Sequence, residues 1–412
     1  MKLSSPSLAI IILNWNGKAL LERFLPFVVE YSEDALVVLA DNASSDSSVE
    51  FVKQNYPRIQ IVVNEANLGF AGGYNKALEA VDADLYCLLN SDVEVTPGWL
   101  NPVLDLFNSQ PEAGIVQPKI KDLKNRSHFE YAGAAGGFLD FFGYPFCRGR
   151  IFQSLEEDYG QYDDSREIFW ATGACMFIKR DLFVSLGGFD TDYFAHQEEV
   201  DLCWRAHNNG YRVYYTGASE VFHLGGSTLS NMNPKKTFLN FRNSLYSITK
   251  NLPARKALPI VFSRLILDGI AAVRFLFQFK IGHAWAILRA HLSFYRHVPK
   301  MLRKRERQHF VEKYAITTSI VWSYYVRRIR TFGILVKDYR ILTPKAETFV
   351  NFVVITKIKY TTNNFKFHSY EKMDDWKSGP RTHTFILCLT EKVRRSGVQT
   401  TRNAGLAEFG NS

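Results

Sequence analysis

Short apolar runs alternate with longer amphipathic stretches over the first quarter of the chain. The runs lie at residues 8–13, 35–40, 59–63 and 85–89, and helix-like sequence lies between them. A continuous apolar run of this length is typical of a strand that is buried on both faces of a sheet. Strands that alternate with helices predict a mainly parallel sheet covered by helices, so the pattern predicts an α/β fold.

Polar clusters follow all four runs at the points where the predicted strands end. They begin at Asn14, Asp41, Asn64 and Asn90. Open α/β sheets bind ligands beyond the carboxyl ends of their strands, so these clusters predict one site on one edge of the sheet. Asp92 follows Asn90 by two residues, and oxygen ligands at this spacing suit a hard divalent cation. An Asx-type turn that caps the next helix is the structural alternative for this pair.

Two common nucleotide-binding motifs are missing from these clusters. The sequence contains neither the G-x-G-x-x-G spacing of dinucleotide-binding folds after a strand nor a G-x-x-x-x-G-K-[ST] phosphate loop. Asp41 can instead accept a hydrogen bond from a base or a ribose. The glycine-rich turn at residues 69–73 enters a helix, an arrangement that favours phosphate oxygens. Together with the cation position at Asn90 and Asp92, these features fit a nucleoside diphosphate bound with a metal ion.

The composition is that of a folded protein of 412 residues, with 46% hydrophobic and 14% aromatic residues, and the length suffices for two domains. The formal net charge is +9, and basic residues crowd residues 300–307 and 327–330. This balance suits anionic partners such as nucleoside diphosphates, acidic lipids or nucleic acid. The five cysteines form no C-x-x-C pair, and no signal-peptide pattern precedes the first strand. We therefore expect free thiols in a reducing cytosol.

A second cluster of ionisable residues, residues 196–201 with the sequence HQEEVD, opens a predicted helix. Acidic residues at a helix N-terminus interact favourably with the helix dipole, so a purely structural role is one interpretation. The other interpretation is catalytic, because a carboxylate can take a proton from an attacking hydroxyl group. Farther along, His223 precedes a glycine-rich loop, where a lone histidine is either a core residue or a metal ligand.

The chain changes character at Phe238 and has helical sequence to about residue 342. Within residues 258–279 one helical sector is polar and the remaining wide sector is apolar. The polar sector contains Ser263, Arg264, Asp268, Arg274 and Gln278. Its three charges argue against a membrane-spanning helix. We expect an amphipathic helix in a membrane interface, assisted by basic residues 300–307; packing on the sheet domain or on a second subunit is the alternative. Residues 343–412 are expected to be partly disordered and have no predicted role.

The polar clusters stand in motifs that resemble the family 2 glycosyltransferases with a GT-A fold, in particular their rhamnosyltransferase-like bacterial branch. Eight stretches match in the family's order and together span about residues 8–230. They are residues 11–17 (IILNWNG), 41–46 (DNASSD), 64–75 (NEANLGFAGGYN), 88–92 (LLNSD), 170–176 (WATGACM), 187–190 (GGFD), 198–205 (EEVDLCWR) and 221–223 (VFH).

The resemblance implies a GT-A catalytic domain, a Rossmann-like mixed α/β sheet, over residues 1–237. Its donor half reaches about residue 96, its acceptor half covers residues 97–237, and the helical region of residues 238–342 follows. The implied general base is Glu199, with Glu198 as the second candidate. The donor nucleotide contacts Asn14, Asn16, Asp41, Asn67, Gly69, Gly72 and Asn75. Mg²⁺ or Mn²⁺ is bound by Asp92, His223 and Asn90, of which the last replaces the first acid of the family's D-x-D motif. The sugar and acceptor pocket contains Trp170, Thr172, Gly173 and Asp201.

The predicted function is therefore inverting transfer of a sugar such as rhamnose from a UDP- or dTDP-sugar to a glycan or lipid-linked acceptor in cell-surface polysaccharide synthesis. We expect a peripheral enzyme on the cytoplasmic face of an anionic membrane, as a monomer or a homodimer, with no nucleic-acid partner. Two alternatives stay open. One is a nucleotidyltransferase of similar sheet architecture, and the other is a nucleic-acid-binding protein that uses the basic C-terminal helices.

Overall fold

The computed structural model describes residues 6–32, 34–225, 233–305 and 310–342, with side chains as far as residue 337. The predicted tail, residues 343–412, lies outside the described residues. Within the described part, a mixed sheet forms the first half of the chain, and helices dominate the segment after residue 233.

Nine strands of the described residues form the main sheet. They are β1 (Leu8–Asn14), β2 (Leu36–Asp41), β3 (Gln60–Val63), β4 (Leu85–Asn90), β5 (Val93–Val95), β6 (Ala113–Asp122), β11 (Ser165–Ile168), β12 (Cys175–Lys179) and β13 (Arg212–His223). Their order is β11-β13-β6-β12-β4-β1-β2-β3, and β5 pairs with β13. The four runs predicted as strands from the sequence are β1 to β4, each within two residues of its predicted bounds.

The half of the sheet built from the predicted strands is parallel. Strand β1 pairs in parallel with β2 and β4, and β2 pairs in parallel with β3. In this register Asn14 lies opposite Asp41, and Leu13 lies opposite Asn90. The carboxyl ends of these strands therefore meet at one edge, which confirms the prediction that their polar clusters converge.

Apolar side chains cover both faces of this parallel half. Ala9 and Ile11 belong to one buried cluster, whereas Ile10 and Ile12 belong to another. Successive side chains of a strand point to opposite faces, so the two clusters lie on opposite sides of the sheet. Burial on both faces explains why the strands have continuous apolar sequence instead of alternating with polar residues.

The other half of the sheet is mixed, because β12 runs antiparallel to both β4 and β6 while β13 is parallel to β6. Strand β13 is 12 residues long and ends at His223. Its pairing with β6 shifts between Thr216 and Glu220. A bulge accommodates extra residues without ending a strand. Here it allows β13 to reach His223, which pairs with Val93 of β5.

The glycine- and aromatic-rich region after β6 folds into a second, five-stranded sheet. Its strands are β7 (Gly137–Asp140), β8 (Pro145–Cys147), β9 (Arg150–Ile151), β10 (Ser154–Leu155) and β14 (Ala315–Thr317). The order is β10-β9-β8-β7-β14, so a strand from the C-terminal region completes it. The C-terminal region therefore shares a sheet with the rest of the described protein, instead of forming a separate helical domain.

Helices connect the strands and then form a layer at the C-terminal end of the described chain. They are α1 (Lys18–Tyr31), α2 (Ser48–Asn55), α3 (Gly69–Leu78), α4 (Asn101–Ser109), α5 (Arg180–Ser185), α6 (Glu198–Asn208), α7 (Pro234–Asn251), α8 (Ala254–Phe277), α9 (Ile281–Arg303), α10 (Ile320–Tyr325) and α11 (Phe332–Leu342). Among the described helices, none combines the length and the apolar character that crossing a bilayer requires.

Helix α8 has the predicted polar and apolar sectors, but its central polar residues face the protein interior. Arg264 is 2% exposed and Asp268 is fully buried. Arg264 donates to the Phe142 carbonyl at 3.1 Å and to Ser244 Oγ at 2.8 Å, and Asp268 accepts from Tyr144 Oη at 3.0 Å. The apolar sector of α8 consequently faces outward.

Candidate active site

Asn14 and Asp41 end two neighbouring strands and are hydrogen-bonded to each other at the edge of the sheet. Asn14 Nδ2 donates to Asp41 Oδ1 at 3.0 Å and to Ser44 Oγ at 3.1 Å, while Ser44 N donates to Asp41 Oδ2 at 2.9 Å. Both side chains are buried, and Asn14 Oδ1 has no partner among the described residues. A buried acceptor without a partner costs free energy, so a ligand N–H or O–H group fits this place.

Asn16 and Asn67 brace the loops on either side of this pair. Asn16 has the left-handed φ of 52°, and its Oδ1 accepts from Ser45 N at 2.7 Å. Asn67 Oδ1 accepts from Asn42 Nδ2 at 3.0 Å and from Gly69 N at 2.9 Å. Because both side-chain oxygens are engaged within the protein, the geometry favours a loop-positioning role for these two predicted donor residues.

The glycine-rich start of α3 connects the donor side to the segment before α6. Gly69 has φ of 72°, and a Cβ atom there would lie 2.8 Å from the Phe194 carbonyl oxygen. A Cβ atom on Gly72 would lie 2.9 Å from Leu68 Cβ. Asn75 binds Phe189 twice, donating to its carbonyl at 2.8 Å and accepting from its N–H at 2.9 Å. A side chain at Gly69 would separate the two segments, whereas one at Gly72 would press against Leu68 within the same turn.

The predicted metal residues converge on His223. Its Nε2 atom lies 3.1 Å from Asp92 Oδ1 and 3.5 Å from Asn90 Nδ2. Asp92 is 3% exposed and His223 is 6% exposed. The residues come from distant parts of the sequence, because Asn90 ends β4, Asp92 follows it and His223 ends β13. The structure therefore brings together the three side chains that the sequence predicted as one site.

Glu130 lies on the opposite side of the His223 ring, with its Oε1 atom 3.5 Å from His223 Nδ1. Burial alone would lower the pKa of His223, but hydrogen bonding to Asp92 and Glu130 outweighs it and raises this pKa to about 10. A carboxylate behind a histidine is the arrangement that orients the ring of a metal-binding imidazole. No sequence signal marked Glu130, because it stands in the irregular region before β7.

These side chains fit a divalent cation that takes its other ligands from a substrate. Among the described residues, no three acidic, histidine or cysteine side chains converge closely enough to form a metal cage by themselves. Mg²⁺ and Mn²⁺ in nucleotide sites commonly use one or two protein ligands and complete their coordination with phosphates and water. The buried oxygen of Asp92 and imidazole nitrogen of His223 supply two such ligands, since metal binding displaces the proton from the imidazole.

Glu198 and Glu199 open α6 in an environment that disfavours charge. Burial raises the pKa of Glu198 well above its usual value, and the neighbouring Glu199 carboxylate raises it further. Burial also raises the pKa of Glu199, to about 7. One carboxyl oxygen of each residue is buried without a hydrogen-bond partner in the described part of the chain. Glu198 is 4% exposed, whereas Glu199 is only partly buried and keeps contact with solvent.

The segment that leads into these acids is strained. Phe194, His196 and Gln197 have φ values of 64°, 67° and 73°. Residues other than glycine rarely adopt this left-handed backbone conformation. Such strain persists only where surrounding contacts enforce it. Burial lowers the pKa of His196 to about 4, with Lys236 acting in the same direction, so its imidazole is neutral at neutral pH.

Asn243 of α7 holds this strained segment from behind. Its Nδ2 atom donates to the carbonyls of Tyr193 at 3.1 Å, Ala195 at 3.0 Å and His196 at 2.7 Å. Asn243 is fully buried. The loop that precedes the two acids is therefore positioned by a helix that begins more than 30 residues later in the chain, which sequence reasoning did not identify.

Asp201, predicted in the sugar and acceptor pocket, is instead enclosed by protein groups. Its carboxylate accepts from Arg205 Nε at 2.9 Å, Lys250 Nζ at 2.9 Å, Asn251 Nδ2 at 2.8 Å and Tyr193 Oη at 3.1 Å. Burial opposes its charge, but Lys250 and Arg205 outweigh this and hold the pKa of Asp201 well below its usual range. The geometry favours a structural role that joins α6 to α7.

The other predicted pocket residues, Trp170, Thr172 and Gly173, pack against residues of both sheets and of α3. Trp170 Nε1 donates to the Phe138 carbonyl at 3.0 Å, and Thr172 N donates to Gln117 Oε1 at 2.8 Å. Both side chains are buried. A Cβ atom on Gly173 would lie 2.7 Å from the Phe70 ring, so this glycine permits close packing against α3. Their contact with a sugar stays a prediction.

Comparison with known proteins decides which family this arrangement represents. Residues 9–187 match the family described as Glycosyl transferase family 2. This range contains β1 to β12, including the parallel half of the sheet and the Asn90–Asp92 position. Over these residues the chain is similar to glycosyltransferase family 2, as the sequence predicted. The predicted mixed α/β sheet followed by C-terminal helices is confirmed.

One relative of this chain is a rhamnosyltransferase. The N-acetylglucosaminyl-diphospho-decaprenol L-rhamnosyltransferase of Mycobacterium tuberculosis (strain ATCC 25618 / H37Rv) is 29% identical over 233 residues, which cover 52% of this chain and 75% of that protein. This similarity confirms the predicted rhamnosyltransferase-like character.

Solved structures with a similar fold contain nucleotides and Mn²⁺. The mannosyltransferase PcManGT from Pyrobaculum calidifontis in complex with GDP-Man and Mn²⁺ is 15% identical, with a TM-score of 0.44 over 70% of this chain and 87% of that chain. GalNAc-T7 with UDP, GalNAc and Mn²⁺ is 18% identical, with a TM-score of 0.44, and the match covers 53% of this chain and 43% of that chain.

Proposed function

We propose that this glycosyltransferase is an inverting, metal-dependent enzyme whose general base is Glu199. The observation that carries the proposal is the carboxyl pair at the start of α6, with one unpartnered buried oxygen on each acid. A general base works best when its pKa lies near the working pH. The pKa of Glu199 is raised to about 7 by burial and the residue retains access to solvent, whereas Glu198 is enclosed.

In the proposed reaction Glu199 accepts the proton of the acceptor hydroxyl group. The hydroxyl oxygen then forms a bond to the anomeric carbon of the donor sugar, on the face opposite the leaving group. The bond from that carbon to the diphosphate oxygen breaks, and its electron pair leaves with the nucleoside diphosphate. A single in-line displacement of this kind inverts the anomeric configuration. Glu198 holds its proton and limits the charge that collects beside Glu199.

Asp92 and His223 are the residues that would hold Mg²⁺ or Mn²⁺, with the side-chain oxygen of Asn90 as a third ligand. A bound divalent cation supplies charge stabilisation to a leaving diphosphate. Glu130 would keep the His223 ring oriented with Nε2 toward Asp92, because it lies at the other ring nitrogen.

The proposed donor is a UDP- or dTDP-sugar, and the proposed acceptor is a glycan attached to a lipid diphosphate. The first choice rests on the Asn14–Asp41 pair, which offers buried acceptors to a pyrimidine base. The second is supported by the similarity to a rhamnosyltransferase whose name specifies a diphospho-decaprenol acceptor. The match to Glycosyl transferase family 2 favours sugar transfer over the nucleotidyltransferase and the nucleic-acid binder that the sequence left open.

We further propose that the enzyme works at the cytoplasmic face of an anionic membrane. The outward sector of α8 contains Leu258, Phe262, Ile266 and Ile270, each more than half exposed. Monomeric soluble proteins rarely leave a contiguous apolar face of this length in water. A face that is apolar outside and flanked by basic residues is typical of helices that lie in the membrane interface.

A product analysis tests the proposed function. The protein is incubated with Mn²⁺, a panel of UDP- and dTDP-sugars and a bacterial lipid extract, and the products are examined by mass spectrometry and NMR. We expect a lipid whose mass increases by one sugar, with an anomeric configuration opposite to that of the donor. Transfer with retained configuration would contradict the assigned mechanism, and release of pyrophosphate with nucleotide transfer would contradict the reaction class.

A further inference from the structure

A groove of about 600 Å³ separates the start of α7 from the start of α9. Its lining includes Phe194, which lies four residues before Glu198 on the strained segment, and Trp285, which is 56% exposed on α9. The groove therefore has in its wall both a residue of the segment that leads into the acids of α6 and a residue of the outer apolar surface of α9.

Three cationic side chains line this groove without a carboxylate partner. The guanidinium carbons of Arg242 and Arg289 lie 5.1 Å and 5.6 Å from the centre of the same ring, that of Phe238. Lys235 Nζ lies 5.2 Å from the centre of the Phe194 ring. Within the described residues none of these three cations belongs to a salt bridge, but Arg242 donates to Asn243 Oδ1 at 2.9 Å and to the Asp192 carbonyl at 3.0 Å. Burial lowers the pKa of Arg242.

The acidic groups near the groove are already engaged by other lysines. Asp192 pairs with Lys300 at 2.6 Å and with Lys304 at 2.8 Å, and Asp190 pairs with Lys250 at 2.6 Å. Cations that gather around one ring repel each other, so their arrangement favours an anion between them. Guanidinium groups match the geometry of phosphate oxygens especially well.

The groove borders an exposed apolar surface on α9 at Trp285. Ile281, Leu288 and Leu292 stand on the exposed side of α9 together with Trp285. Their spacing of three to four residues places them along one face of the helix. A ligand in the groove would therefore have its anionic part between Arg242 and Arg289 and an apolar part along α9.

We propose that this groove is the binding site for the diphosphate of a polyprenyl-diphosphate-linked acceptor, whose isoprenoid chain leaves past Trp285 along the outer face of α9. The diphosphate would occupy the space beside Phe238, and the sugar attached to it would extend past Phe194 toward the acids of α6. The proposal rests on the proposed function, because it assumes that the acceptor is a lipid diphosphate. It adds the site, which lies outside the donor and metal residues.

Binding of farnesyl diphosphate, measured by calorimetry without divalent cations, tests this groove in the full-length protein. Farnesol and inorganic diphosphate serve as probes that contain only the apolar part or only the anionic part. We expect farnesyl diphosphate to bind more tightly than either. The double substitution Lys235→Gln with Arg289→Gln should weaken its binding by about tenfold or more, because charge-assisted hydrogen bonds to phosphate are lost.

Arg296→Gln is the matched control, since Arg296 is also exposed on α9 but lies outside the groove. We expect it to change the affinity by less than about twofold, as is usual for an isolated surface charge. Equal weakening by the control, or no weakening by the double substitution, would overturn the groove assignment. So would loss of binding in Asp92→Ala alone, because the diphosphate would then occupy the donor site.

The same variants separate this proposal from the proposed function. Sugar transfer to a lipid extract that is unaffected by Lys235→Gln with Arg289→Gln would reject the groove and leave the enzymatic assignment intact. Groove-dependent binding of farnesyl diphosphate in a protein that transfers no sugar to any lipid would reject the acceptor assignment and leave the groove intact. Circular dichroism and thermal unfolding of each variant exclude loss of fold as the cause.

Discussion

Glu198 and Glu199 are adjacent in sequence, yet their surroundings assign them different protonation states. Glu198 is enclosed and stays neutral because burial and its neighbour both raise its pKa. Glu199 is partly open, and its pKa is raised to about 7. Two carboxyl groups whose environments separate their pKa values are typical of acid–base sites.

Glu199→Gln should lower kcat by roughly 10²- to 10⁴-fold, the usual contribution of a general base, and leave the donor Kd within a few-fold. The amide keeps the shape of the side chain but cannot accept the proton. Steady-state kinetics with saturating donor and acceptor measure the effect. Glu198→Gln is the matched comparison and should reduce kcat much less. A reversed order would exchange the two roles, and two active variants would place the base elsewhere.

The pH dependence should identify the same residue. Because the base must be ionised, kcat/KM should rise with pH and level off above an apparent pKa of about 7. Stability should show the opposite trend. The native state holds this proton more tightly than the unfolded chain, whose glutamate pKa is about 4.5, so the free energy of unfolding falls as the pH rises from 4.5 to 7. In Glu199→Gln, kcat/KM and the free energy of unfolding should both depend less on pH. An unchanged pH profile of kcat/KM would contradict the assignment.

Asp92→Ala should abolish the effect of Mn²⁺ on nucleotide binding while the fold is retained. The substitution removes one of two buried ligands and leaves His223 with a single carboxylate neighbour, Glu130. Calorimetry with UDP and dTDP, with and without Mn²⁺, measures the effect. Asp46→Ala is a suitable control, because Asp46 lies in the adjacent loop and accepts from Lys18 N instead of facing His223. Unchanged Mn²⁺-dependent affinity in folded Asp92→Ala would refute the metal assignment.

At the scale of elements, α7 couples the C-terminal helices to the catalytic segment. Its Asn243 binds three carbonyls of that segment, and its Lys250 binds Asp190 and Asp201 on either side of it. Without such contacts, the backbone at Phe194 would leave its strained left-handed conformation. The predicted boundary between a catalytic domain and a helical region at residue 237 therefore does not separate two functions, since α7 belongs to the architecture of the site.

Asn243→Leu should lower the free energy of unfolding by about 1–3 kcal/mol, because buried carbonyls lose their donor. It should also lower kcat by more than it changes the donor KM, since the acids are displaced and the nucleotide site is not. Chemical denaturation and steady-state kinetics measure the two effects. Thr249→Val is the matched control on the same helix, because the buried Thr249 hydroxyl has no hydrogen-bond partner in the described part of the chain. Normal kcat in Asn243→Leu would reject the positioning role.

At the scale of the whole molecule, the described C-terminal helices present an apolar outer surface. Phe262, Phe277 and Phe279 are 66%, 82% and 91% exposed. Phe277 and Phe279 lie at the turn between α8 and α9, and Phe262 lies farther back on the outward face of α8. The adjacent basic residues favour a membrane of negative surface charge.

The intact protein should sediment with anionic vesicles, and the combined substitution of Phe262, Phe277 and Phe279 by serine should greatly reduce this. High salt should weaken binding only in part, because charge attraction is screened whereas apolar insertion is not. Tyr159→Ser with Val184→Ser is the control, since both residues are exposed on other parts of the chain. A change of oligomeric state by light scattering, with unchanged vesicle binding, would make this surface a subunit interface instead.

Local sequence patterns were sufficient for the donor half of the fold. The strands β1 to β4 are short continuous apolar runs, and their parallel arrangement follows from the helices between them. The positions of Asn14, Asp41 and Asn90 at strand ends follow from the same pattern. Glu130 and Asn243 were not predictable in this way, because each acts on a partner more than 40 residues away in sequence. Contacts of that kind leave no local periodicity.

The sequence alone determined which residue types carry the chemistry and that α8 has one polar and one apolar sector. Only the tertiary structure decided which sector faces water. Arg264 and Asp268 are buried because Tyr144, Ser244 and His291 supply hydrogen-bonding partners inside the protein. Periodicity specifies the angle between residues around a helix axis but not the orientation of that axis relative to its neighbours. Buried polar groups require partners, and those partners come from distant segments that meet only in the folded chain.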